Sequence, residues 1–268
     1  MPQGICLSAT DVTARWLYSK GVMIPLRDTI PSYRFPAVTV GLIAVNALVF
    51  LAELSLSARE LDTVFSQWGI VPCTWTGACH SRRLLASGAL GVAAHPNYFT
   101  IISSLFLHGG WMHILGNMWS LWIFGDNVED RMGRGGFLVF YLLSGLAAGA
   151  LHIAFNARSP VPTVGASGAI AGVKGAYLLL FPQARVVTLV PIFIFLQTIE
   201  LPAVIFLGFW FLSNLWSGLG ALAAHTRAGG VAWWAHIGGF LVGCLWALSL
   251  RRRVITPHAW YDHEDVRW

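Results

Sequence analysis

Five apolar stretches of about 20 residues limit what this chain can become, because about 20 residues are what a helix needs to cross a hydrocarbon core of about 30 Å. They run from Ala37 to about Leu56, Ile101 to Phe124, Gly136 to Phe155, Ala203 to Leu222 and Val231 to Leu250. A sixth stretch, Gly165 to Phe181, is shorter and ends at Pro182. Charged residues make up 11% of the 268, where a soluble domain carries about 25%. A chain so poor in charge cannot cover a water-facing surface, and its mean hydropathy is +0.64. The fold class this implies is all-α: a polytopic membrane protein, with a polar segment 1–36, a six-helix domain 37–250 and a basic tail 251–268. One more apolar run, Val186–Leu196, is short and interrupted by Pro191; it reads as interfacial or re-entrant.

Six spans put both flanking segments on one side. Eleven Lys/Arg then fall on that side, among them Arg251-Arg252-Arg253. Five fall on the other: Arg59, Arg82, Arg83, Arg158 and Arg227. The positive-inside bias makes the flanking side cytoplasmic. The net charge of +5 is therefore explained by topology, and no nucleic-acid partner is implied. No secretory signal peptide is expected, since the first 35 residues lack an apolar core. Cys6, Cys73, Cys79 and Cys244 show no metal-ligand spacing. Cys73 and Cys79 share the long outer loop, where a small disulfide ring and two unpaired thiols are both open readings.

The short sixth stretch has the chemistry. Its 17 or so residues span about 25 Å, so it starts below the membrane surface, at Gly165-Ala166-Ser167-Gly168. A helix starting there leaves N–H groups unpaired and must face protein or a water-filled cavity. Ser167 stands at the positive end of the helix dipole, where negative charge is stabilised. Alone, it reads better as a helix cap, or as one of the small residues that let membrane helices pack, than as a nucleophile. The weighing changes with depth. His236 lies about five residues into the last stretch, while His113 and Asn117, spaced i and i+4, share one helical face. All four polar residues fall in the outer slab of the membrane, where ionisable groups default to function. Gly168, Gly172 and Gly175 form one small-residue stripe and Gly239-x-x-x-Gly243 another, so the two backbones can approach closely. That would bring the His236 ring to the Ser167 hydroxyl as a base beside a nucleophile, with His113 and Asn117 suited to hold an oxyanion.

These residues resemble the rhomboid proteases. The elements that match are His108-Gly109-Gly110-Trp111-Met112-His113-Ile114-Leu115-Gly116-Asn117, then Gly165-Ala166-Ser167-Gly168, then Ala235-His236-Ile237-Gly238-Gly239, within a likeness from about Met23 to Leu250. The resemblance implies a six-helix intramembrane serine endopeptidase with a Ser167–His236 dyad and neither metal nor cofactor. It also implies an oxyanion site of His113, Asn117 and the Ser167 N–H. Its substrates would be single-span membrane proteins in the lipid bilayer, cut near the outer end of the span, and its setting a bacterial plasma membrane. Met23-Ile24-Pro25-Leu26-Arg27-Asp28 resembles the way bacterial members begin, so a chain starting at Met23 is expected to insert and cleave. Three positions depart from the pattern. Phe99-Thr100 replaces a Trp-Arg pair that anchors the first loop. Ala171 stands where an aromatic often stacks on the histidine, leaving no identified group to orient His236. Lys174 occupies a normally apolar site.

Other intramembrane chemistries fit less well. A zinc protease needs H-E-x-x-H, but His108 and His113 have no Glu between them. An aspartyl protease needs two aspartates within spans, whereas Asp126 ends a span and Asp262 is in the tail. A client-binding protein of the same fold would not need both Ser167 and His236, and a transporter would show an inverted repeat with paired broken helices. Lys174 is seven residues beyond Ser167, about 10.5 Å along the axis. It is expected to snorkel toward the cytoplasmic interface and not to serve as the base.

Overall fold

The computed structural model describes residues 23–80, 96–192, 195–223 and 231–251. The possible N-terminal extension 1–22, the basic tail past Arg251, and Arg82, Arg83 and Arg227 lie outside the described residues. In chain order the elements are β1 (Ile24–Asp28), α1 (Ala37–Glu53), α2 (Ala58–Trp68), the single turns α3 (Pro72–Trp75) and α4 (Thr100–Ser103), α5 (Trp111–Met132), α6 (Arg134–Phe155), α7 (Ser167–Leu180), β2 (Arg185–Ile192), β3 (Phe195–Pro202), α8 (Ala203–Ala223) and α9 (Trp233–Arg251). Helices α1 and α5 to α9 make the bundle.

Its outside is as apolar as its inside. Leu48 and Leu51 on α1, Val139 on α6, Phe209, Leu212 and Trp216 on α8, and Leu245 on α9 are all exposed. Patches of that extent are rare on soluble monomers and are the natural lipid-facing surface of a membrane bundle. Helices α6, α8 and α9 are long and apolar enough to cross a membrane, while α1 and α7 are apolar but shorter. The chain is an integral membrane protein. Short α7 is the centre of the bundle, with Gly168 through Tyr177 all buried. Around it lie Leu121 and Phe124 of α5, Tyr141 of α6 and Leu207 of α8, each with no exposed surface.

The two small-residue stripes meet as the sequence implies. The carbonyl oxygens of Gly168 and Gly172 occupy the space where β-carbons on Gly239 and Gly243 would sit. No other residue permits that approach of α9 to α7. The same stripe also presses Gly172 onto Ser144 of α6, whose side chain lies 2.5 Å from where a Gly172 β-carbon would be.

The second apolar stretch needs correction at both ends. Expected over Ile101–Phe124, it is the turn α4, an irregular passage and then a helix starting only at Trp111. Gly109-Gly110 causes the break, Gly110 having a φ of +142° that L side chains rarely adopt. The charged run Gly125–Arg131, expected to stop the helix, is inside it, because its carboxylates have work at that end. Glu129 accepts hydrogen bonds from the N–H groups of Val38 and Thr39, at 3.0 and 2.7 Å. It thereby caps α1, whose N-cap position is Pro36 with no side-chain cap of its own. Asp130 accepts from the Tyr33 N–H at 2.9 Å.

Where the Val186–Leu196 stretch was expected to be interfacial or re-entrant, Arg185–Ile192 and Phe195–Pro202 are β-strands. Val186 and Thr188 are buried between more exposed neighbours, a period of two that suits β-branched residues. Strand β2 pairs antiparallel with β1 on one side and β3 on the other. This small sheet closes the end of the bundle where α7 stops and α8 starts. Asp28 of β1 ties it down, accepting from Tyr177 Oη at 2.5 Å and Asn127 Nδ2 at 2.9 Å. Burial pushes the Asp28 carboxyl up to about 6, against the lowering effect of the Tyr177 hydrogen bond.

Candidate active site

At the end opposite the sheet, α7 begins at Ser167. Fourteen residues at about 1.5 Å each give roughly 21 Å, short of a core of about 30 Å. The loop feeding it is held by backbone hydrogen bonds. Ile70 and Thr163 exchange two, at 3.0 and 2.8 Å, and the Gly165 N–H donates to the Ser104 carbonyl at 2.8 Å. Gly165 has a φ of +120°, a conformation essentially restricted to glycine. The outer loop is anchored in the same way. Cys73 donates its N–H to Ser159 O at 3.0 Å and forms a disulfide with Cys79, which settles the open reading of that pair. Where the Trp-Arg anchor is missing, Thr100 is buried and its hydroxyl donates to Asn97 O at 2.6 Å, while Ser103 Oγ donates to Trp68 O at 2.7 Å.

His236 enters in the first turn of α9 and reaches Ser167 directly, Nε2 to Oγ 2.9 Å. Its other nitrogen, Nδ1, lies 2.6 Å from Oδ1 of Asn214 on α8. The tautomer follows from the partners, since an amide oxygen only accepts. Nδ1 carries the hydrogen, and Nε2 is free to accept from the Ser167 hydroxyl. The Asn214 amide is itself fixed, because its Nδ2 donates to the Trp210 carbonyl at 2.7 Å. Two indoles flank the imidazole. The ring of Trp210 is tilted at 37° with centroids 5.7 Å apart, and that of Trp233 is edge-on at 6.3 Å.

His113 and Asn117 do not touch the Ser–His pair, but they gather beside it on the first two turns of α5. A β-carbon on Gly165 would stand 2.5 Å from His113 Nε2 and 3.6 Å from Asn117 Nδ2. Both groups therefore face the backbone two residues before Ser167. The Gly109 N–H donates to His113 Nδ1 at 3.3 Å, which leaves the hydrogen on Nε2, toward Gly165. His108 does the same for Asn117. Its Nδ1 lies 3.3 Å from Phe106 O and its Nε2 3.0 Å from Asn117 Nδ2, so Nε2 accepts one amide hydrogen and orients the other. The result is two side-chain donors, His113 Nε2–H and one Asn117 Nδ2–H, preorganised beside the backbone that leads to Ser167.

Lys174 does not snorkel as expected. It is buried, and its ammonium sits 4.2 Å from the centre of the Trp210 ring. The face of an indole is the best neutral partner a cation finds in an apolar setting, and from the middle of α7 it is nearer than any interface. Asn214 and Trp210 are the residues the sequence reading did not single out. An amide midway along an otherwise apolar span was the available signal.

A half-buried Ser–His pair between two helices of a membrane bundle, with donors gathered beside it, defines a class, and comparison with known proteins gives the family. The Rhomboid domain model matches residues 95–253. The chain belongs to the rhomboid family. It is 31% identical over 162 residues to "Rhomboid protein 1, mitochondrial" of Saccharomyces cerevisiae, covering 58% of this chain and 42% of that protein. Against "Rhomboid protease GluP" of Bacillus subtilis it is 31% identical over 176 residues, 65% of this chain and 31% of the relative. "Presenilin-associated rhomboid-like protein A, mitochondrial" of Danio rerio is 26% identical over 214 residues, 77% and 51% of the two chains. The chain thus spans about half the length, or less, of these relatives.

Proposed function

We propose that this protein is an intramembrane serine endopeptidase that hydrolyses peptide bonds of membrane-anchored proteins within or near their transmembrane segments. The observation that carries the reading is the 2.9 Å contact between Ser167 Oγ and His236 Nε2 at the sunken N-terminus of α7. Ser167 attacks the scissile carbonyl carbon while its proton passes to His236 Nε2. The new oxyanion takes hydrogen bonds from His113 Nε2–H, Asn117 Nδ2–H and the Ser167 N–H, aided by the dipole of α7. As the C–N bond breaks, His236 returns the proton to the leaving nitrogen. Water, deprotonated by the same histidine, then releases the acyl group and restores Ser167. Residues of this chain do all the proton handling; no metal or cofactor enters the scheme.

The substrates we propose are single-span membrane proteins, since a nucleophile below the membrane surface meets chains that are themselves in the bilayer. The name of the Bacillus subtilis relative, a rhomboid protease, supports the reaction class. We place 37–250 as the protease domain, with 1–36 and 251–268 on the cytoplasmic side of a bacterial plasma membrane. The positive-inside bias supports that orientation. So does the Cys73–Cys79 disulfide in a loop on the site's side, since such bonds persist in oxidising compartments. The test is cleavage of a generic single-span substrate by purified protein in liposomes. Wild type is expected to yield two defined fragments and Ser167→Ala none. Equal turnover by Ser167→Ala would end the assignment, and binding without cleavage by both would point to a client-binding role.

A further inference from the structure

A dyad needs more than a short distance. An imidazole free to rotate about its χ angles spends most of its time with Nε2 off the serine, and one in the wrong tautomer presents a hydrogen where a lone pair is needed. Soluble serine proteases solve both problems with a buried carboxylate. In this chain the position that could stack an aromatic from α7 is Ala171, which has no ring to offer. The ring that packs against His236 comes instead from α8, as Trp210, and the group that meets Nδ1 comes from one turn further along the same helix.

We propose that Asn214 is the positioning residue of the site, a third member that holds His236 in its reactive tautomer and orientation; the inference rests on the protease reading above. Three features support it. The Nδ1–Oδ1 distance of 2.6 Å is shorter than the 2.9 Å of the dyad itself. Asn214 is buried, which limits the water that can compete for the bond. And its amide cannot flip without cost, because Nδ2 is spent on the carbonyl of Trp210 four residues back. The chain of fixation runs from the α8 backbone through the amide to Nδ1–H, which leaves the Nε2 lone pair aimed at Ser167. When Nε2 takes the serine proton, the Asn214 oxygen faces the imidazolium with the negative end of its dipole. The Nδ1 proton stays on nitrogen throughout, since an amide oxygen is far too weak a base to accept it. A neutral amide also suits the bilayer, where an unpaired carboxylate would be expensive whenever His236 is uncharged.

The experiment compares wild type with Asn214→Leu, which keeps the shape and loses the acceptor, and with Asn214→Asp, which keeps an oxygen at Oδ1. Cleavage, fluorophosphonate labelling of Ser167 and thermal stability are measured in one detergent. Losing a triad carboxylate costs about 10⁴-fold in kcat, and a neutral amide should matter less. Asn214→Leu is therefore expected to lose on the order of 10²-fold in kcat and labelling rate, with KM little changed. Asn214→Asp should recover at least tenfold of that loss. A purely structural role would lower thermal stability and leave both variants equally impaired; that result, or a fully active Asn214→Leu, would overturn the inference. Histidine labelled with ¹⁵N keeps the test independent of turnover. The ring signals missing from His236→Ala identify His236, whose hydrogen is expected on Nδ1 in wild type and shared between both nitrogens in Asn214→Leu. An inactive wild type with His236 locked as the Nδ1–H form would contradict the protease reading alone. An unchanged tautomer in Asn214→Leu would contradict this one.

Discussion

Helix α9 meets α7 and α8 in different ways. Against α7 it comes backbone to backbone along its glycines, where the carbonyls of Gly168 and Gly172 fill the space above Gly239 and Gly243, and the side chains of His236 and Cys244 reach across at either end of that contact. Against α8 it uses large rings. Phe211 stacks on Phe240 at 4.6 Å, Trp210 lies 6.0 Å from the same ring, and Trp210 and Asn214 together meet His236. The difference assigns two tasks. Backbone contact between α7 and α9 has no rotamers to average over, so it sets how far Ser167 stands from His236. The side chains of α8 set which way the imidazole points.

The sharpest way to break this comparison is Gly239→Val. Its β-carbon would overlap the Gly168 carbonyl oxygen, so α9 must move away by roughly 1.5 Å to restore van der Waals contact, which takes His236 out of hydrogen-bond reach of Ser167. We expect kcat to fall at least about 10³-fold, consistent with losing a nucleophile–base pair that acts as a unit, together with a lower melting temperature from overpacking. The matched change on the other side is Gly218→Ala in α8, where a new β-carbon would meet Trp233 and Trp234 at an ordinary 3.4 Å. It should leave kcat within about twofold, since exchanges without a buried clash have small effects. Equal damage from the two would erase the distinction.

A smaller effect is expected at the donors. His113→Ala and Asn117→Ala each remove one of three groups proposed to face the oxyanion. Loss of a single donor costs about 10²–10³-fold in kcat, and with the load shared the lower figure applies. Single-turnover kinetics should show the loss in the chemical step with KM near wild type; a change in KM alone would make these residues substrate contacts.

The smallest effect is expected at Lys174. Its ammonium rests on the ring that packs against His236. Removing it forfeits a cation–π contact of about 0.5–2 kcal/mol but also removes a charge from an apolar segment. Lys174→Leu should therefore cleave nearly normally with stability unchanged or raised, as read by initial rates and a thermal melt. Inactivity equal to that of Ser167→Ala in a folded protein would reassign the base to Lys174.

The sequence was most readable where one physical rule acted alone. Apolar length found the bundle, and the spacing of Gly168, Gly172, Gly239 and Gly243 foretold the one interface that brings α7 and α9 together. It was least readable where a tertiary partner overrode a local signal. The charged run Gly125–Arg131 looks like a helix end until Glu129 is seen capping α1, and Pro191 disguised a strand whose alternation is plain once β1 and β3 lie beside it. At the site, Ser167, His236, His113 and Asn117 were singled out by depth and spacing, and all four stand in the first two turns of their helices. Asn214 was not, because a lone amide among apolar residues gives no hint of which helix it faces. Lys174 was misplaced for a related reason: snorkelling follows from the segment's length, but the indole that holds the ammonium comes from another helix.

The pairing of Ser167 with His236 is tested most directly by the site of covalent capture. Purified wild-type protein is incubated with a fluorophosphonate, digested and mapped by mass spectrometry, alongside His236→Ala. One adduct is predicted, on Ser167, formed readily in wild type and scarcely in His236→Ala although the serine is still present. No adduct on folded, substrate-cleaving protein, an adduct on another serine, or capture at the same rate without His236 would contradict the account.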